Sequence, residues 1–201
     1  MIGIIDYGVG NLKNVSNALN RLDKENIITK DINTLKKCEK LILPGVGAFG
    51  EGMDGLKESG LDTFLKDWVK SGKYVLGICL GMQLLFEKSY EMGEHKGLNF
   101  IKGEVVKFNA DLNLKIPHMG WNRLEKNNDD EIIKGMEREY VYFVHSYLAT
   151  NLDDKNLIAY ANYGIKVPAI VRNENVIGMQ FHPEKSDEAG KKLLVNYLEL
   201  K

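Results

Sequence analysis

The sequence is poor in the features that would commit it to several common classes. It carries two cysteines, Cys38 and Cys79, in 201 residues. Two thiols in a chain of this length make no disulfide framework. Charge is balanced, with 27 Lys and Arg against 28 Asp and Glu, which leaves no electrostatic footprint for a nucleic acid. No apolar run approaches the ~20 residues of a membrane span. Met1 leads directly into Ile-Gly-Ile-Ile-Asp, without a basic segment or a small-residue cleavage site, so no signal peptide is expected. Repeats, low-complexity tracts and a dividing linker are missing as well. These absences leave a single domain over 1–201, large enough for its own core and expected in a reducing, cytoplasmic setting with no membrane contact.

What is present first is an alternation of strand and helix patterns. Ile2–Asp6 is a short apolar run ending at the loop Tyr7-Gly8-Val9-Gly10. Asn11 can cap the helix in which Leu12, Val15, Leu19 and Leu22 recur at helical spacing. Strands are expected at Ile27–Thr29, at Lys40–Leu43 with a stop at Pro44, and at Tyr74–Ile78. A second helix is marked by Leu56, Leu61, Phe64, Leu65, Trp68 and Val69 and broken at Ser71-Gly72. Met82–Glu87 reads as the start of a third. This order predicts a parallel sheet with helices on both faces. The second half is different. Glu104–Phe108, Tyr140–Ala149, Leu157–Tyr163, Ala169–Arg172 and Val176–Phe181 are β-type runs. Asn173-Glu174-Asn175 reads as a hairpin turn, Glu125–Glu131 as a polar loop and Ala189–Leu200 as a closing helix.

Two patterns are decoys. Gly45-Val46-Gly47-Ala48-Phe49-Gly50 fits G-x-G-x-x-G after a strand, but Glu51-Gly52-Met53-Asp54-Gly55 is too glycine-rich to open a helix firmly, so a dinucleotide site is disfavoured. His95, His118, His145 and His182 lie far apart along the chain and no cysteine has a CxxC mate, which disfavours zinc.

The chemistry concentrates at Gly77-Ile78-Cys79-Leu80-Gly81. A thiol at a strand-to-helix bend is held in a strained conformation and pointed out of the sheet edge, with glycines removing the clashes. At a helix N-terminus the thiolate is favoured. Cys38, set among charged residues, reads as a small buried hydrophobe. A nucleophilic thiol needs a base and the base an orienting group. His182-Pro183-Glu184 supplies both if the chain is extended there, since residues i and i+2 then face the same way. His95 reads as an ordinary packed or capped residue; His118 and His145 lie in unusual segments. Oxyanion donors are expected from the N–H of Leu80 and from the Pro44-Gly45-Val46-Gly47 loop, at Val46 and Gly47.

These residues resemble the class-I (triad) glutamine amidotransferases. The narrower resemblance is to the glutaminase subunits of imidazole glycerol phosphate synthases, and it spans the whole chain. It is carried by Asp6–Leu12, Leu43–Phe49, Gly77–Gln83, Pro117–Asn122, Tyr142–Tyr147 and His182-Pro183-Glu184-Lys185-Ser186. The resemblance implies an α/β, flavodoxin-like fold: an open, mainly parallel central sheet, helices on both faces and antiparallel strands added in the second half. It implies that Cys79 attacks the glutamine side-chain amide, His182 moves the proton and Glu184 orients His182, with no cofactor and no metal. Gln83, Gly47, Ser146 and Tyr147 would bind the substrate. Ammonia would pass to a (β/α)8-barrel cyclase, and Tyr7, Asn11, Met119, Trp121 and Lys185, all on expected loops, are the candidates for that interface. The rivals are a paralogous pair that amidinates a bacterial surface sugar and a catalytically silent regulatory subunit.

Overall fold

A computed structural model describes residues 1–109, 114–136 and 139–201. In chain order the first half contains β1 (Ile2–Ile5), α1 (Leu12–Asn20), β2 (Asn26–Thr29), α2 (Ile32–Leu35), β3 (Lys40–Gly45), α3 (Phe49–Glu58), α4 (Leu61–Lys70), β4 (Val75–Cys79) and α5 (Leu80–Gln83). The second half contains β5 (Phe86–Ser89), β6 (His95–Lys96), β7 (Ile101–Lys107), β8 (His118–Arg123), β9 (Glu125–Lys126), β10 (Tyr140–His145), β11 (Tyr147–Thr150), β12 (Leu157–Asn162), β13 (Lys166–Asn173), β14 (Val176–Met179) and α6 (Asp187–Glu199). The central sheet runs β2-β1-β3-β4-β14-β13-β12-β9. Its first five strands pair in parallel and the last three are antiparallel. Two smaller sheets, β10-β8 and β11-β7-β5-β6, lie beside it.

The strands β1, β3 and β4 are buried at every position, which is why they read as continuous apolar runs rather than alternating ones. Helices cover both faces. Val15 and Leu19 of α1 share one buried cluster with Leu193, Leu194 and Tyr197 of α6. Phe49, Met53 and Leu56 of α3 share the opposite cluster with Leu61, Phe64, Leu65 and Trp68 of α4. Each such side chain contributes about 1.5–3 kcal/mol when fully buried. Lys40 joins the sheet to the last helix: its ammonium donates to the carbonyls of Tyr197, Leu198 and Leu200 at 2.9, 2.7 and 2.6 Å, supplying the cation that a helix C-terminus favours.

Several expectations are corrected. Pro44 does not end β3, which continues to Gly45. Pairing with β1 stops at Ile42, so the missing N–H of Pro44 lies where the strand is one-sided. The helix expected from Leu56 to Val69 is two helices, separated at Gly60 with φ 70°. The glycine-rich Glu51–Gly55 segment does form helix α3. Its glycines serve close packing: a Cβ on Gly55 would sit 2.3 Å from the Tyr7 carbonyl oxygen. Asn11 stands at the N-cap of α1 without a side-chain capping bond. The helix expected over Met82–Glu87 is a single turn that ends at Gln83 and gives way to β5. Leu84, Leu85 and Phe86 are all fully buried, and such an unbroken apolar run carries no period to separate helix from strand. Tyr140–Ala149 divides at Ser146 into β10 and β11, which belong to different sheets. The polar Glu125–Glu131 loop contributes β9 to the sheet edge. Met119 and Trp121 lie on strand β8 rather than on a loop. The hairpin at Asn173-Glu174-Asn175 is as expected, with Glu174 at φ 54° between β13 and β14.

Candidate active site

Cys79 is the last residue of β4 and the residue before α5, with φ 54° and ψ −111°. A non-glycine residue held there carries strain of about 1–3 kcal/mol. The flanking glycines are required by the backbone around them. A Cβ on Gly81 would lie 1.7 Å from the Leu43 carbonyl oxygen of β3, and one on Gly77 would lie 2.5 Å from the carbonyl oxygen of Gly81. Helix α5 has only four residues. The field of aligned peptide dipoles expected at Cys79 is therefore slight, and the groups that act on the thiol come from elsewhere in the fold.

The principal one is His182, brought from the far end of the chain by β14. Its Nδ1 lies 2.8 Å from Glu184 Oε1. An ionised carboxylate only accepts, so Nδ1 carries the proton and donates. The geometry differs from the extended chain expected. Strand β14 ends at Met179, and Pro183–Lys185 is a 3-10 turn, so the carboxylate reaches the ring by a tight bend. Ser186 fixes that bend. Its hydroxyl donates to the His182 carbonyl at 2.6 Å and accepts from the Tyr142 N–H at 3.0 Å, while His182 N–H donates to the Tyr142 carbonyl at 3.0 Å.

Among the described residues, the buried side-chain polar atoms without a hydrogen-bond partner are His182 Nε2 and Glu184 Oε2. Unsatisfied buried groups are rare and costly, and they concentrate where a ligand or reaction will use them. Burial alone would push the imidazole pKa down. Interactions with Cys79 and with Glu184 outweigh it and raise the imidazole from 6.5 to about 9. His182 therefore prefers the protonated state, the one that completes an ion pair with a thiolate.

Cys79 and His182 open on a cavity of about 330 Å³. The same cavity is lined by Val46, Gly47, Leu80, Gln83, Ser146, Tyr147 and Lys185. The fold thus gathers the catalytic, oxyanion and substrate-binding candidates into one place, with Glu184 behind His182. Gly47 has φ 114°, a conformation glycine supplies without strain, and a loop that begins at Gly45 can turn its peptide groups toward the thiol. Gly45 itself is paired in register with Cys79.

Sequence reasoning missed two features. Glu91 lines the cavity, and its carboxylate accepts from the Phe49 N–H at 2.8 Å. That bond places an anion at the start of α3, where the false dinucleotide motif would need to receive a pyrophosphate, so like charges exclude that ligand. The second is a histidine pair. Distant in sequence, His118 and His145 lie opposite each other in the β8-β10 register, with Nδ1 of the first 3.0 Å from Nε2 of the second. His145 Nδ1 donates to the Tyr147 carbonyl at 2.7 Å, so its Nε2 accepts and His118 Nδ1 is the donor. Burial lowers His145 to about 3, against the bond to Tyr147 and with help from His118 and His182. His118 is lowered as well, by burial. It is stacked between Phe143 and Tyr163, at centroid distances of 4.6 and 4.0 Å. The one legible signal was that both residues sat within motif segments.

Of the interface candidates, Tyr7 is misplaced by sequence reasoning. It lies on the expected loop, but its ring is buried and its hydroxyl donates to the Pro44 carbonyl at 2.7 Å. Tyr7 anchors the start of the Pro44-Gly45-Val46-Gly47 loop from within, and burial together with Cys79 pushes its hydroxyl pKa up. Asn11 and Lys185 are exposed, and Met119 and Trp121 are 55% and 47% exposed on β8.

The sequence profile of the family described as glutamine amidotransferase class-I matches residues 3–199. The chain belongs to the class-I glutamine amidotransferases. Within that family it is 46% identical over 204 residues to the imidazole glycerol phosphate synthase subunit HisH of Bacillus subtilis, covering 100% of this chain and 96% of that protein. It is 50% identical over 200 residues to the HisH subunit of Lactococcus lactis, with 98% of each covered. Among solved structures, PurLQS from Thermotoga maritima superposes with a TM-score of 0.74 at 22% identity, covering 98% of this chain and 96% of that one. That last likeness concerns the fold. It sets the amidotransferase among α/β proteins with the same open central sheet. No helix among the described residues of this amidotransferase is long and apolar enough to cross a membrane.

Proposed function

We propose that this amidotransferase is the glutaminase subunit of an imidazole glycerol phosphate synthase. It hydrolyses glutamine to glutamate and ammonia and passes the ammonia to a cyclase subunit. The names of its relatives support the pathway, and the His182–Glu184 bond beside Cys79 supports the chemistry.

In the proposed reaction His182 takes the thiol proton and Cys79 Sγ attacks the side-chain carbonyl carbon of glutamine. Negative charge develops on the carbonyl oxygen, where peptide N–H groups of Leu80 and of the Val46-Gly47 loop would receive it. One such donor is worth on the order of 3–4 kcal/mol in comparable sites. His182 returns its proton to the leaving nitrogen, the C–N bond breaks, and ammonia departs from a thioester. Water then attacks the thioester as His182 takes its proton. Collapse returns that proton to sulfur and releases glutamate. Glu184 holds the ring in the tautomer that faces Nε2 to Cys79 and supports its positive charge. Gln83, Glu91, Ser146 and Tyr147 are assigned to the amino-acid end of glutamine, with the Glu91 carboxylate suited to its ammonium group.

The partner is assigned as a (β/α)8-barrel cyclase that joins ammonia to a phosphoribosyl-carboxamide nucleotide, giving imidazole glycerol phosphate and AICAR. Exposed Met119 and Trp121 suit an interface core, and Asn11 and Lys185 are placed with them. Lys185 follows Glu184 and lines the cavity, which gives a docking partner a path to the site. The test is reconstitution with a separately purified cyclase. Glutamine-dependent formation of the imidazole product is expected, lost in Cys79→Ala and restored there by free ammonia. A Cys79→Ala protein that still releases glutamate would overturn the assignment.

A further inference from the structure

We infer that Gln180 is a working part of the glutaminase site: one end of its carboxamide supports the Cys79 sulfur and the other fixes the carboxamide of Gln83. This rests on the reading of Cys79 as the nucleophile.

Gln180 follows β14, and its side chain is fully buried. It lies between two site residues. Gln83 Nε2 donates to Gln180 Oε1 at 3.1 Å, and Gln180 Nε2 lies 3.9 Å from Cys79 Sγ. The orientation of both amides follows from a group that cannot be reversed. The Tyr147 carbonyl oxygen only accepts. It takes the His145 Nδ1 proton at 2.7 Å and a Gln83 Nε2 proton at 3.1 Å. The Gln83 nitrogen must therefore face Tyr147, and its second proton goes to Gln180 Oε1. With its oxygen so engaged, Gln180 turns its NH2 group to the sulfur. A flipped Gln180 would oppose two NH2 groups and set a carbonyl oxygen against the nucleophile.

Two consequences follow. Sulfur has a fixed donor, and the bond strengthens as the thiol becomes a thiolate, because charge-assisted hydrogen bonds are the stronger kind. Both Gln83 protons are also occupied, so its Oε1 is the polar atom left for the cavity that Gln83 lines. An acceptor there selects a ligand that donates, such as an α-ammonium. The ionisable groups around Cys79 are His182 with Glu184 behind it and Lys185 beyond, on the turn after β14, Tyr7 on the β1–α1 loop, and Glu91 and His145 across the cavity. None of them contacts Gln83 through a hydrogen bond, so the two ends of Gln180 are separable by substitution.

The experiment uses the full chain with its cyclase and reads two quantities: Cys79 alkylation by iodoacetamide against pH, and steady-state glutamine kinetics. Gln180→Glu keeps the acceptor for Gln83 and turns an anionic oxygen to the sulfur. Its alkylation at pH 7 should fall about tenfold or more, with the profile moved upward by about one pH unit. Its kcat should fall while KM changes by no more than about threefold. Gln180→Met keeps the volume and removes both ends, so it should raise KM severalfold and shift the alkylation profile less. A purely structural Gln180 would lower the amount of folded protein without moving either profile or the division between kcat and KM. Wild-type alkylation profiles and KM values in both variants would overturn the inference while leaving Cys79 as the nucleophile. If wild-type Cys79 reacts no faster than Cys38 with a glutamine-like chloroketone, the reading of the site falls and the inference falls with it.

Discussion

Two buried imidazoles lie close to the same cavity and respond to burial in opposite ways. His182 and His145 are 3% and 6% exposed, yet His182 is raised to about 9 and His145 is lowered to about 3. The difference lies in what each ring touches. His182 has a carboxylate on one nitrogen and a thiol near the other. His145 has a backbone carbonyl on one nitrogen and the neutral ring of His118 on the other. Desolvation penalises the charged form in both places, and only an anionic partner reverses it. In the proposed reaction one of these histidines carries the proton, while the other, in the same cavity lining, stays a neutral strut.

The largest effect is expected from Glu184→Gln, which replaces the anion and leaves the volume. His182 then loses the partner that offsets its burial and becomes more like His145. Its pKa, read by NMR of the ring protons, should fall well below about 9. Glutamine turnover should drop by about 10⁴-fold, as when a triad carboxylate is neutralised elsewhere. Retention of near-wild-type kcat would break the comparison, because it would mean that the carboxylate has no role in setting the proton carrier.

Stability against pH comes next. For His145 the folded pKa lies below the unfolded value of about 6.5. The unfolded chain therefore binds a proton that the folded one refuses, and stability is lost as pH falls from about 6.5 toward 3. The full effect is on the order of 5 kcal/mol. For His182 the folded pKa lies above the unfolded one. Its stabilising contribution is complete below about 6.5 and is lost as pH rises toward 9. Together they place a stability maximum near pH 6.5. Urea denaturation across pH 4–9 measures both limbs. Replacing His182 with Ala should flatten the alkaline limb and shorten the acid one only slightly, because His182 is the least of the influences on His145; loss of the acid limb instead would show that the two environments are not separate. Third in size is His118→Leu. It leaves His145 Nε2 buried without a donor and should cost about 1–3 kcal/mol, with the acid limb made shallower by the loss of the second depressed histidine.

The comparison also explains what could be read in the chain beforehand. Cys79 was legible because its glycines are local: they answer clashes with the backbone of Leu43 and Gly81. The His182–Glu184 pair was legible because its partners are two residues apart, although the 3-10 turn that joins them was not. The strands β1, β3 and β4 were legible because burial at every position leaves a continuous apolar run. The histidine pair was invisible because its geometry is created by antiparallel pairing of β8 and β10 across 27 positions. Strand β8 was itself missed, since His118–Arg123 has one buried residue and places Gly120 and Asn122, which carry no apolar signal, on the same face. Tyr7 was misjudged for a related reason. A loop position says nothing of what packs over it, and here α3 closes on Tyr7 because Gly55 has no side chain. Gln180 was part of a recognised segment, but its role depends on a carbonyl at Tyr147 that no spacing rule connects to it.

The smallest effect, and the sharpest, is expected from Asn122→Asp. Asn122 Oδ1 lies 2.8 Å from His118 Nε2. Since His118 Nδ1 is already committed as the donor to His145, a neutral His118 has a lone pair at Nε2. It can bond Asn122 only by accepting from the amide NH2, which sets the amide nitrogen toward the ring. A carboxylate has no such donor. Asn122→Asp therefore removes the partner that favours neutral His118 and supplies one that favours its cation, the arrangement seen at Glu184 and His182. The ring should titrate about one pH unit higher than in the wild type, by NMR. Asn122 is half-buried and screened, so the gain in stability near pH 5 should be no more than about 1 kcal/mol, with a comparable or smaller loss near pH 8. Glutaminase activity should change little, because His145 keeps its bond to Tyr147 in either case. If His118 in the variant still titrates as in the wild type, an adjacent carboxylate is not sufficient to reverse burial in this protein, and the contrast between His182 and His145 must be traced to the thiol alone.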